Sequence, residues 1–75
     1  MNTFKKWLVE NNYTFEIVNL VSGDLAYLID LTYEGPYPSD ATYKNHAIIR
    51  TKAKKLRLKY EKAGFYNGAL ITLNK

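Results

Sequence analysis

The side chains able to do chemistry are few. His46 is the single histidine and cysteine is absent. A zinc-type centre therefore lacks its imidazole and thiolate donors, and carboxylates alone would have to hold a hard cation. Glu16 and Asp30 are the best carboxylate pair, placed diagonally on one sheet face if residues 13–33 form a hairpin. Paired acids can transfer protons or bind Mg²⁺, but two acids flanking a sheet are more often solvated. No Ser-His-Asp set and no glycine-rich phosphate loop stands in the chain. His46 falls at the margin of a helical apolar stripe, where a boundary role outweighs catalysis. Nothing selects a reaction, so the expectation is a non-enzymatic protein without a cofactor. A small nuclease working with Lys, Arg, Tyr and one His, or with a metal on Glu16, is the residual catalytic class.

The positive charge carries more information. Residues 44–62 hold Lys44, Arg50, Lys52, Lys54, Lys55, Arg57, Lys59 and Lys62 against Glu61 alone, a balance of +7. Lys5, Lys6 and Lys75 face Glu10, Glu16, Asp24, Asp30, Glu34 and Asp40 elsewhere, a balance of −3. The total of +4 thus conceals a polarised molecule. On a helical wheel Lys52, Lys55, Lys59 and Lys62 form one stripe, with Arg50, Lys54 and Arg57 toward the other flank. Cations spaced along a helix can meet successive phosphates and release counterions. The plainer explanation is a solvated face, because Lys and Arg are good helix formers and suit a helix C-terminus. The functional expectation is polyanion binding, with nucleic acid foremost and an acidic protein surface as the other candidate. Lys52, Lys55, Lys59 and Lys62 would make the phosphate contacts, and Arg50 and Arg57 would assist.

These residues need a scaffold. Ile49, Ala53, Leu56, Tyr60 and Ala63 recur at spacings of four and three, which predicts one amphipathic helix over 40–63. Ser39 or Asp40 can cap it, Pro38 precedes it, no Gly or Pro interrupts it, and Gly64 can end it. Such a helix would be about 36 Å long. Near the start, Asn2 or Thr3 can cap a short helix whose Phe4, Trp7 and Leu8 share a face, and Asn11-Asn12 suits its end.

Residues 13–20 and 25–33 read as strands. A three-residue loop, Val21-Ser22-Gly23, pairs Phe15 with Ile29 and Ile17 with Tyr27, and puts Gly23 where a left-handed residue is needed. Tyr13, Phe15, Ile17, Leu25, Tyr27, Ile29, Leu31 and Tyr33 then form a core face. Residues 34–39 form a loop, and 65–74 a third strand that turns Ala69, Ile71 and Leu73 toward the helices. Gly68 suggests a bulge or a close backbone approach.

The expected fold is therefore α+β, a two-layer α/β sandwich in α-β-β-α-β order. Its three-stranded mixed sheet would run 2-1-3, or 1-2-3, with a short and a long helix on one face. The other face stays bare and presents Val18, Leu20, Leu28 and Leu70, a candidate interface for a protein partner or a second copy.

Seventy-five residues make one small domain, 1–75, with a thin stability margin. Trp7-Leu8-Val9 is too short for a signal-peptide core, and no apolar run approaches ~20 residues. Absence of cysteine fits a reducing compartment. The expectation is a cytoplasmic protein, and richness in Asn, Lys, Tyr and Ile suggests an A+T-rich bacterial or phage genome, such as that of a mobile-element accessory protein.

Overall fold

A computed structural model describes residues 2–73. Two helices and four strands follow one another as α1 (Asn2–Glu10), β1 (Thr14–Asn19), β2 (Leu25–Asp30), α2 (Asp40–Lys55), β3 (Lys59–Ala63) and β4 (Gly68–Thr72). The sheet order is β1-β2-β4-β3, and every neighbouring pair is antiparallel. The α+β class with both helices on one face matches the expectation. The three-stranded mixed sheet, its 2-1-3 order and the single helix over 40–63 do not.

The first half follows its local signals, except that Ile17 and Leu25 of the expected core face lie exposed toward the loop end of the hairpin. Phe4 and Leu8 are buried and Trp7 half-buried on one face of α1, although Asn2 and Thr3, the expected caps, already lie inside the helix. Asn12 takes a left-handed φ of 63°, and the Asn12 and Tyr13 amides donate to the Val9 and Leu8 carbonyls, closing the last turn. The β1–β2 register pairs Phe15 with Ile29 and Ile17 with Tyr27. Leu20 donates its amide to the Asp24 carbonyl, leaving Val21-Ser22-Gly23 as the loop with Gly23 at φ 95°. The strands are shorter than predicted. β2 stops at Asp30 because its carboxylate accepts both the amide and the hydroxyl of Thr32, a local turn that competes with the ladder.

Ser39 caps α2 through a reciprocal box with Thr42. The helix ends eight residues before Ala63, the expected terminus. The amides of Arg57 and Leu58 donate to the Lys54 and Ala53 carbonyls, and Arg57 stands at φ 60°. This is a Schellman motif with arginine in the left-handed position that glycine usually fills. Leu56, Leu58 and Tyr60 then all pack on the core. A continued helix would leave Leu58 outside the stripe of Ile49, Ala53 and Leu56, whereas the reversal at Arg57 followed by extended chain brings both Leu58 and Tyr60 onto the core. β3 also pairs the outer edge of β4, which a three-stranded sheet would leave open. Gly64 sits in the β3–β4 turn rather than at a helix end. At 16 residues, α2 spans about 24 Å instead of about 36 Å.

Phe4, Leu8, Tyr27, Ile29, Ile49, Ala53, Ala69 and Ile71 form the centre of the core between the helices and the sheet. Leu73 packs against it, as expected; Asn74, the predicted end of the last strand, lies outside the described residues. A Cβ on Gly68 would stand 2.8 Å from the Ile29 carbonyl oxygen, so this glycine does mark a close backbone approach. Among the described residues no helix is long and apolar enough to cross a membrane.

Candidate nucleic-acid interface

Breaking the predicted helix redistributes its cations. Lys52 lies on the flank of α2 facing α1, its Nζ 5.9 Å from the centre of the Trp7 ring. Lys55 is exposed in the last turn of α2, and Arg57 is exposed in the turn that follows. Lys59 occupies the sheet face away from the helices, 3.8 Å from the Glu61 carboxylate in an exposed pair. Lys62 points to the helix side of the same strand, its Nζ 4.5 Å from the Tyr66 ring centre. The stripe of Lys52, Lys55, Lys59 and Lys62 therefore does not exist, because alternate residues of a strand face opposite ways.

A different grouping replaces it. Tyr43, His46 and Arg50 lie along the flank of α2 that faces β3 and the turn at 64–67. The Arg50 guanidinium carbon stands 5.9 Å from the Tyr60 ring centre. His46 meets Tyr60 and Tyr66 edge to face, at centroid distances of 6.1 and 5.2 Å. Tyr66 is also approached by Tyr43 at 4.9 Å and by Phe65 at 5.8 Å. Arg50 and Lys62 thus flank one aromatic cluster. Tyr43 and Phe65 remain 45% and 52% exposed there.

His46 holds this cluster together. It is 2% exposed, deeper than the boundary position expected of it. Its Nε2 lies 3.0 Å from the Tyr66 carbonyl oxygen and its Nδ1 2.7 Å from the Tyr60 hydroxyl. A carbonyl only accepts, so Nε2 carries a hydrogen; in the neutral ring Nδ1 accepts from Tyr60. Both ring nitrogens are then satisfied, which fits a positioning role and leaves neither free for a substrate. Burial raises the Tyr60 phenol above its ordinary 10.0, with Arg50 opposing and Tyr66 adding to the shift.

The turn itself is tied from outside. Tyr66 sits at φ 65°, a conformation that costs a bulky residue energy and persists only where its surroundings impose it. The His46 bond fixes the Tyr66 carbonyl, and the Tyr33 hydroxyl donates to the Phe65 carbonyl at 2.8 Å. Tyr66 lies in the turn, on the helix side, and not in a strand running over 65–74. The aromatic members went unrecognised in the sequence, although Asn67-Gly68 is a hairpin signal and Tyr43 lies one heptad before Arg50.

The other face of the sheet carries the remaining candidates. The register puts Val18, Leu28 and Leu70 there, all half-buried, with Leu20 half-buried at the hairpin end. Both helices pack on the opposite side. Glu16 and Asp30 lie diagonally on this face beside a groove of about 530 Å³ that Leu28, Ala63 and Gly68 also line. The side-chain and backbone hydrogen bonds from Thr32 hold the Asp30 carboxyl below its ordinary 3.8, so the group is committed to its own turn. That argues against a role for it in proton transfer. No family model, curated protein or solved structure matches this chain.

Proposed function

We propose that the protein is a non-enzymatic nucleic-acid-binding module whose contact surface is the α2–β3 side of the molecule. One observation carries this reading: Arg50 and Lys62 flank a single aromatic cluster held by a buried histidine, with Lys55 and Arg57 exposed at the end of α2 and Lys52 on its other flank, toward Trp7. Lys59 is turned to the other side and plays a minor part. Phosphate contacts from such cations give affinity without sequence preference. Binding should weaken steeply with salt, and replacing both Arg50 and Lys62 by Gln should lower the slope of log affinity against log salt by about 1.4 on a single strand. If no complex with DNA or RNA forms at about 50 mM salt, the proposal fails.

A second reading rests on Val18, Leu20, Leu28 and Leu70, which neither helix covers. Such a face favours a protein partner. Glu16, Asp30 and Glu61 outnumber Lys59 on it, so a basic, apolar surface would suit it better than a second copy stacked face to face. A homodimer would instead pair through an edge strand. Sedimentation at about 100 μM tests self-association, and Leu28→Glu should abolish docking on this face without unfolding the chain.

A further inference from the structure

We infer that the ligand of this surface is single-stranded nucleic acid, gripped by stacking of its bases on Tyr43 and Phe65. The inference rests on the reading above and goes beyond charge. Four features carry it. Tyr43 and Phe65 keep 45% and 52% of their surface open, whereas the other large rings apart from Tyr37 are buried or half-buried. Both touch Tyr66 edge to face, at interplanar angles of 69°, so this contact occupies at most one face of each ring. The cations stand against neighbouring rings, with Lys62 over Tyr66 and Arg50 over Tyr60. The backbone presenting Phe65 and Tyr66 is held in a costly conformation by two hydrogen bonds from distant residues, Tyr33 and His46.

Open rings beside ammonium and guanidinium groups suit a chain that offers flat π-faces and phosphates together. A duplex keeps its base faces stacked inside and could use only the cations. An acidic protein surface would likewise leave Tyr43 and Phe65 idle. The fixed turn matters because a platform ordered in advance loses little freedom on binding.

The test compares four probes at the same salt: oligo(dT) and oligo(U) of about 12 nucleotides, a duplex of equal length, and poly-glutamate. Each single strand is expected to bind about tenfold or more tighter than the duplex, with the two strand chemistries showing whether the sugar matters. Phe65→Ala and Tyr43→Ala, both at exposed positions, should each weaken the single strands by roughly tenfold while leaving duplex binding unchanged. Tyr66→Asn removes the central ring but keeps a residue that tolerates positive φ, and should weaken single strands alone. Duplex binding as tight as that of the single strands, or ring variants without effect, overturns the stacking inference but leaves the electrostatic proposal standing. Poly-glutamate as the tightest ligand overturns it in favour of an acidic protein. Binding to none of the four removes both.

Discussion

His46 and Tyr60 are the residues whose chemistry the fold uses most fully. The His46 ring joins a helix, an edge strand and a turn, and Tyr60 supplies the hydrogen that its Nδ1 accepts. Tyr60→Phe leaves that nitrogen buried without a donor and should cost about 1–3 kcal/mol, read as a lower urea midpoint at unchanged slope. The ionisation of Tyr60 gives an independent check. Burial raises its pKa, so the folded state favours the protonated phenol. The stabilisation is fully present below the ordinary 10.0 and is lost as pH rises through the higher folded value. Absorbance titration near the phenolate band should show tyrosines ionising above that ordinary value in the native protein, and Tyr60→Phe should remove one of them while leaving Tyr13, whose phenol burial also raises. Asp30 acts in the opposite sense. Its pKa is lowered by Thr32, so its contribution is present above 3.8 and disappears as pH falls through the lower folded value.

At the scale of elements, the decisive feature is the end of α2. Arg57 occupies a left-handed position at φ 60°, where an L side chain crowds its own backbone. Arg57→Gly should therefore stabilise the protein by about 1 kcal/mol, detectable as a higher melting temperature. If residues 56–63 instead continued the helix, the same substitution would destabilise it by about as much. β3 itself has a distinct signature. Its inner edge pairs with β4 and its outer edge is open. Amide exchange should show alternating protection along 59–63, where a helix would protect every amide. Gly68 tests the neighbouring strand. A methyl group there would press on the Ile29 carbonyl of β2, so Gly68→Ala should cost about 1–3 kcal/mol in a denaturant titration.

Across the whole molecule, charge and apolar surface are sorted onto different sides. The α2–β3 side gathers Arg50 and Lys62 with the rings, while the uncovered sheet face carries Glu16, Asp30 and Glu61 around a half-buried apolar strip. β2 and β4 are the two inner strands, paired along both edges. Their amides should exchange slowest of all, with β1 and β3 opening first. The edges that open first border the two candidate surfaces, so binding at either should slow exchange in its own edge strand.

Much of this architecture was readable from residue order. The α1 face, the β1–β2 register, the Ser39 cap and the inward set of Ala69, Ile71 and Leu73 all follow from contacts between residues near in sequence, which periodicity and turn chemistry report directly. Residues 56–63 are different. Leu56, Tyr60 and Ala63 satisfy a helical spacing, Leu56, Leu58 and Tyr60 satisfy a strand, and no glycine or proline chooses between them. The choice was made by β4, whose open edge offered unpaired backbone groups, and by the core, which could bury Leu58 only from an extended chain. The candidate site went the same way. Its cations were visible as charge, but the meeting of Arg50, Lys62 and the tyrosines depends on how α2 lies against β3, a geometry that no local spacing encodes.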